Sequence, residues 1–162
     1  MGYDISLAGA EDIDAVAALL QANAPSNGGA LTGEFPRDKV EKMLLNGMPV
    51  VVARKEGRAV GVLFSSAKDN PAPSVRAMLA AWPGQADAYV YGPACIADTE
   101  RGQGLLGKLY AVLQKHCAGR EAVLFIQQTN TASIRAHERL GMHAVAEYVF
   151  EGENYFVFSD RR

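Results

Sequence analysis

The chain has 162 residues, 49% of them hydrophobic and 21% charged, the composition of one globular domain large enough to bury a core. Lys and Arg number 16 against 18 Asp and Glu, a formal net charge of −2 with no basic block, which argues against nucleic acid or an anionic membrane as partner. No apolar run approaches the ~20 residues of a membrane span, and the start, Met1-Gly2-Tyr3-Asp4, has no basic segment leading into an apolar stretch, so the cytoplasm is the expected location.

Taken in order, residues 3–7 alternate as a short first strand. Residues 11–22 carry Ile13, Val16, Ala17, Leu19 and Leu20 at helical spacing, with acidic residues in the first turn. Residues 23–33 are rich in Gly, Asn, Ser and Pro and read as a loop. A second helix is predicted over 36–46, with Val40, Met43 and Leu44 on one face and Gly47 as its stop. The apolar, β-branched runs 49–54 and 58–64, separated by Lys55-Glu56-Gly57, predict a β-hairpin.

The stretch 68–85 is bracketed by prolines and admits a short helix over 74–82. A strand follows over 88–96, and Pro93 inside it removes a ladder hydrogen bond, so the strand should bulge or splay there. Leu105, Leu106, Leu109, Tyr110, Val112 and Leu113 give a helix over 105–117 its apolar face. Residues 122–127 are a buried strand, and 133–140 a helix with Asn130 as its cap and Gly141 as its end. Two last strands, 143–150 and 154–159, flank Glu151-Gly152-Glu153. The order β-α-α-β-β-(α)-β-α-β-α-β-β predicts an α/β domain on a mixed sheet, spanning residues 1–162 as one unit.

Two cysteines, Cys95 and Cys117, stand in no metal-ligand spacing with His116, His137 or His143, so buried free thiols are expected and no metal site.

Arg101-Gly102-Gln103-Gly104-Leu105-Leu106-Gly107-Lys108 lies between a strand and a helix. Glycines there allow positive φ and close approach of a ligand, and the helix start that follows offers unpaired N–H groups and partial positive charge, an anion site. Gly102, Gly104 and Gly107 fit G-x-G-x-x-G, but polar Asp98-Thr99-Glu100-Arg101 separates them from the strand, and Gln127 and Gln128 stand where an acidic ribose ligand belongs. Gly102 to Lys108 also fits G-x-x-x-x-G-K, but Leu109 replaces the Ser or Thr that holds Mg²⁺ in a P-loop.

The segment resembles the pyrophosphate loop of the Gcn5-related N-acetyltransferase (GNAT) family, whose pattern is Gln/Arg-x-x-Gly-x-Gly/Ala. Arg101 and Gly104 match, and Leu106 departs, with Gly107 one residue later. About thirty residues on, Asn130, Ser133, Ile134, Glu138, Arg139 and Gly141 match the family's second hallmark, with Met142 in place of its Phe and His137 in place of its frequent Tyr. The element order agrees over nearly the whole chain, and 68–85 is the part the resemblance explains least.

The resemblance implies a mostly antiparallel sheet of about seven strands flanked by helices and splayed between the fourth and fifth strands, with pantetheine paired to the fourth near Ile96, Ala97 and Asp98. It implies acetyl-CoA as acyl donor, held by Arg101, Gly102, Gln103, Gly104, Leu105, Leu106 and Gly107, with Asn130, Ser133 and His137 also in contact. An amine would attack the thioester directly, with the Ile96 backbone N–H on the oxyanion, a donor type worth about 10²–10³ in rate. His137 stands where a leaving-group acid is common; with an ordinary pKa near 6.5 it is a weak acid, a residue touching the sulfur, or a packed helix residue. The base is open among Glu34, Asp87, Tyr89, Tyr91 and a water chain. Cys95 is either an acyl-carrying thiol or a small buried residue, and Trp82 a packing anchor or a border of the acceptor pocket. Residues 23–35 correspond to the loop that shapes the acceptor site, and the family's habit admits a homodimer. Expected is N-acetyl transfer to a primary amine of unspecified kind; a non-catalytic acyl-CoA sensor and a nucleotide-binding protein are the alternatives.

Overall fold

The computed structural model describes residues 2–29, 31 and 33–161. Each predicted element is present, in the predicted order, with ends displaced by at most two residues. The predicted loop over 23–33 includes Ala30 and Thr32, which lie outside the described residues, as do Met1 and Arg162.

Seven strands, β1 (Asp4–Leu7), β2 (Val51–Lys55), β3 (Arg58–Ser66), β4 (Tyr89–Ile96), β5 (Ala122–Gln127), β6 (His143–Phe150) and β7 (Glu153–Ser159), form one mixed sheet in the order β1-β2-β3-β4-β5-β7-β6. The helices are α1 (Ile13–Ala22), α2 (Arg37–Leu44), α3 (Pro73–Ala81), α4 (Leu105–His116) and α5 (Thr131–Arg139). β4 and β5 pair in parallel, as a strand–helix–strand connection through α4 requires, while β1–β2, β2–β3, β5–β7 and β7–β6 are antiparallel. The chain divides into two compact units, Met1–Ser65 with Gly92–Ala118, and Ser66–Tyr91 with Gly119–Arg162.

In the first unit, the apolar stripes of α1 (Ile13, Val16, Leu19, Leu20) and α2 (Val40, Leu44) close over Val50, Val52, Val62, Phe64 and Cys95. Alternation along the strands sends the neighbouring positions to the other face, where Gly61 meets α4: a Cβ on Gly61 would lie 3.1 Å from Leu105 and 3.3 Å from both Ile96 and Leu109. The absent side chain lets the first turns of α4 lie close to the sheet. The β2–β3 hairpin turns on Glu56 (φ 53) and Gly57 (φ 78), and Lys55 pairs with Arg58 across it. Positive φ at both central residues is the type I′ geometry whose twist matches that of the strands. Buried Asp12 receives Arg54 through Nε at 3.1 Å and Nη2 at 2.6 and 2.7 Å, tying the start of α1 to β2.

In the second unit, α3 packs with Val75 and Met78 against Val90, Val123 and Val157. The stretch 68–85, obscure in the sequence, is held by a buried carboxylate. Glu121 receives Trp82 Nε1 at 3.1 Å, the Gln85 N–H at 2.8 Å and Ser159 Oγ. Burial works against its charge, yet these donors outweigh burial and hold its pKa below the usual carboxylate value. Trp82 is therefore a packing anchor of this corner.

Candidate active site

Two features hold most of the residues singled out in the sequence, one in each unit. The first is the start of α4. Gly102 (φ 77) and Gly104 (φ 72) adopt left-handed backbone, which turns the chain from Asp98–Glu100 into the helix. Gly104 is the N-cap and gives no side-chain cap, and the first amide bonded into the helix is that of Lys108, to the Gly104 carbonyl at 3.4 Å. The amides of Leu105, Leu106 and Gly107 thus precede the helical ladder, on an N-terminus with partial positive charge. Two acids close by are already neutralised. Asp98 pairs with Arg101 at 2.9 Å. Buried Glu100 accepts from Tyr3 at 2.7 Å, Thr99 at 2.9 Å and Lys55 at 3.3 Å, and these donors, Tyr3 foremost, keep its pKa low.

The Arg101 guanidinium also donates to Asn23 Oδ1 at 2.8 Å, and Asn23 in turn donates to the Leu19 carbonyl at 2.9 Å. Arg101 thereby fixes the loop to the end of α1. At the end of β4, the Ala97 N–H is spent on the Val60 carbonyl at 2.8 Å, so Ala97 offers a ligand its carbonyl and side chain. Cys95 sits in the core under α1, its Sγ 3.9 Å from the Leu19 carbonyl, and burial pushes its thiol up to about 11. A thiol so rarely ionised in an apolar core is a poor nucleophile.

The second feature joins β4 to α5. The β4–β5 register pairs Tyr89 with Ala122 and Val90 with Val123; Tyr91 follows, then Gly92 (φ 104) and Pro93, which has no N–H to donate. The Tyr91 hydroxyl lies 3.0 Å from His137 Nε2, with the rings edge to face at 5.4 Å. His137 Nδ1 lies 2.8 Å from the Ser133 carbonyl and 3.3 Å from Ser133 Oγ. A carbonyl only accepts, so Nδ1 carries the hydrogen, Nε2 carries the lone pair and Tyr91 O–H donates to it. His137 is buried, and burial pushes its pKa below 6.5, opposed by the bond to Ser133. The imidazole is neutral at pH 7, an arrangement that accepts protons more readily than it supplies them. Asn130 caps α5 as expected, its Oδ1 accepting the Ser133 N–H at 3.2 Å, although the helix starts at Thr131, two residues before the sequence placed it.

Of the other base candidates, Glu34 accepts from Ser26 N at 3.1 Å and Ser26 Oγ at 2.7 Å. Asp87 is exposed, and buried Tyr89 has Arg120 over its ring at 5.7 Å. Sequence placed Tyr91 in the region; its partner is visible only in three dimensions. In the first unit, Gln21, Ala24, Glu34, Phe35, Pro36 and Arg37 line a pocket of about 340 Å³. Among the described residues, no group of three or more His, Cys, Asp or Glu is arranged to hold a metal ion, and no helix is long and apolar enough to cross a membrane.

The family model described as "Acetyltransferase (GNAT) family" matches residues 16–142. No curated protein sequence matches the chain. Among solved structures, yncA from Salmonella typhimurium, determined with its cofactor acetyl-CoA, superposes with a TM-score of 0.72 at 20% identity, covering 98% of this chain and 93% of that one. A GNAT-family acetyltransferase from Streptococcus agalactiae gives 0.74 at 16% identity, over 98% and 95% of the two chains. The ribosomal-protein-S18-alanine N-acetyltransferase from Escherichia coli gives 0.69 at 14%, over 98% and 92%. At these identities the likeness is one of fold.

Proposed function

Because the chain belongs to the GNAT acetyltransferase family, we propose that it transfers an acetyl group from acetyl-CoA to a primary amine by direct attack in a ternary complex. The observation that carries this reading is the uncapped start of α4, framed by Gly102 and Gly104 at positive φ. Backbone amides and helix dipole there suit a pyrophosphate, and the neutralised Asp98 and Glu100 lower the repulsion an anion would meet. The cofactor would be held through Gly102, Gln103, Gly104, Leu105, Leu106 and Gly107, with Arg101 shaping the loop. Pantetheine would contact Ile96, Ala97 and Asp98, and the Ile96 N–H would stabilise the oxyanion. Asn130 and Ser133 would hold α5 in place, and His137 would handle the proton.

The pocket beside residues 34–37 is the proposed entrance for the amine. It combines the Glu34 carboxylate with the Phe35 ring and the Arg37 cation, and so does not by itself name the acceptor. Two free, buried cysteines fit a reducing compartment, and we place the reaction in the cytoplasm. The test is release of CoA thiol from acetyl-CoA in the presence of a polyamine, an aminoglycoside, a peptide with a free N-terminus and a lysine peptide. Amine-dependent release is expected with one class. Tight acetyl-CoA binding without release for any of them would favour a sensor.

A further inference from the structure

Resting on the acyl-transfer reading, we propose that Asn23 is a positioning residue that couples the two substrates. Through its bond with Arg101 it ties the cofactor loop to the amine pocket, so that acetyl-CoA on the one raises affinity for the amine in the other. Asn23, Arg101 and every residue lining the pocket belong to the same unit, Met1–Ser65 with Gly92–Ala118.

Asn23 ends α1 and is buried, with each of its polar groups engaged. Its Oδ1 accepts from Arg101 Nη2 at 2.8 Å, and its Nδ2 donates to the Leu19 carbonyl at 2.9 Å. Its N–H reaches the Leu20 carbonyl at 3.1 Å, and its own carbonyl accepts the Leu31 N–H at 3.2 Å. The chain returns so close that a Cβ on Gly29 would lie 1.9 Å from the Asn23 carbonyl oxygen. The side-chain amide cannot rotate in this setting without breaking both of its bonds.

Three residues that line the pocket hang on Asn23 and its neighbours. Ala24 follows it directly, and the Ala24 carbonyl accepts the N–H groups of Asn27 and Gly29, each at 2.9 Å. The Gln21 carbonyl accepts Asn27 Nδ2 at 2.7 Å. Glu34 is held by Ser26, through N–H at 3.1 Å and Oγ at 2.7 Å. Disorder at Asn23 would thus reach the pocket wall through a few short links.

On the other side, Arg101 immediately precedes Gly102, the first of the two positive-φ glycines that frame the start of α4. Its side chain is 54% exposed and its other partner, Asp98, is 79% exposed, so that ion pair adds little to hold it. The bond to buried Asn23 therefore orders the guanidinium, against the entropy of a long side chain on a glycine loop. A ligand on the amides of Leu105, Leu106 and Gly107 fixes that loop in advance. Less entropy then remains to be lost when the wall beyond Asn23 closes on an amine. By linkage the amine favours acetyl-CoA by the same factor.

The test uses wild type, Arg101→Met, Asn23→Ala and the double variant, with the fastest of the four amine classes above. Arg101 does not line the pocket. At saturating acetyl-CoA, Arg101→Met is nevertheless expected to raise KM for the amine by about fivefold or more, with kcat unchanged. The double variant is expected to be no worse than the worse single one, since both break the same bond. Amide hydrogen exchange gives a readout that needs no turnover and no buried substitution. In wild type, acetyl-CoA is expected to slow exchange at Gly29 and Leu31 by about fivefold or more, and in Arg101→Met it is expected not to. Asn70, whose N–H closes a turn onto the Ala67 carbonyl in the other unit, is expected to keep its rate in both. A wild-type amine KM in Arg101→Met, or bound acetyl-CoA that leaves Gly29 and Leu31 unprotected, would overturn the coupling and leave acyl transfer intact. Binding without turnover would refute acyl transfer and the coupling to an amine together, and so would a failure of acetyl-CoA to bind.

Discussion

At the scale of single residues, Gly104 is where backbone conformation and proposed chemistry coincide. Its φ of 72 lies in left-handed space, yet a Cβ there would meet nothing within 4 Å. A β-branched residue would be strained by its own backbone rather than by a neighbour, at a cost of roughly 1–3 kcal/mol. Relief by a change of φ would re-aim the amides that open α4. Gly104→Val is therefore expected to keep the fold, by circular dichroism, while losing at least about tenfold in acetyl-CoA affinity, each tenfold being about 1.4 kcal/mol. Unchanged affinity in a titration would place the pyrophosphate elsewhere.

His137 gives a second prediction at this scale. Its pKa is lower in the folded chain than the ordinary 6.5, because burial disfavours the imidazolium. The unfolded chain then binds the proton more readily, so stability rises with pH across this window. The contribution is complete above about 6.5, the unfolded value, and is lost as pH falls through the folded value. In denaturant titrations between pH 7 and 5, His137→Gln should flatten the slope of stability against pH relative to wild type. Glu100 and Glu121 bias stability in the same direction, but at lower pH, below the ordinary carboxylate value of 4.5. Equal slopes for variant and wild type would mean that His137 is not held neutral by the fold.

At the scale of elements, Asn130 and Glu121 show how side chains fix helix and loop ends. Removing the α5 cap with Asn130→Ala should cost about 1 kcal/mol. Because the cap holds Ser133, whose carbonyl orients His137, turnover should fall further than stability alone explains. A stability loss with unchanged kcat would separate the cap from the proposed role of His137. Glu121→Ala would strand three donors, Trp82 Nε1, Gln85 N and Ser159 Oγ, and should destabilise by about 2–3 kcal/mol in urea unfolding. The strong signals at this scale were legible in the sequence. The apolar stripes of α1 and α4, the β2–β3 hairpin and the cap of α5 each rest on residues a few positions apart. The corner over 68–85 was not legible, because its anchor Glu121 lies 39 residues beyond Trp82 and has no local signature.

At the scale of the whole molecule, ligand linkage tests the family reading in one experiment. A ligand at ~100 times its Kd stabilises the folded state by about 2.7 kcal/mol, which raises the melting temperature of a domain this size by several degrees. Acetyl-CoA and CoA should each produce such a rise, and NAD and ATP should not. A rise with NAD or ATP alone would return the glycine segment to one of its nucleotide readings.

The sequence by itself determined the elements, their order, the glycine-framed start of α4 and the capped start of α5. All of these follow from spacings of one to four residues, where helix and strand periods and the φ freedom of glycine act directly. The tertiary structure alone decided that β7 enters between β5 and β6, that Cys95 belongs to the core, and that Tyr91 meets His137 across 46 residues of chain. Those contacts depend on how sheet and helices close upon one another. Hydrophobic pattern says that a face is buried; it does not say which polar group waits on the other side.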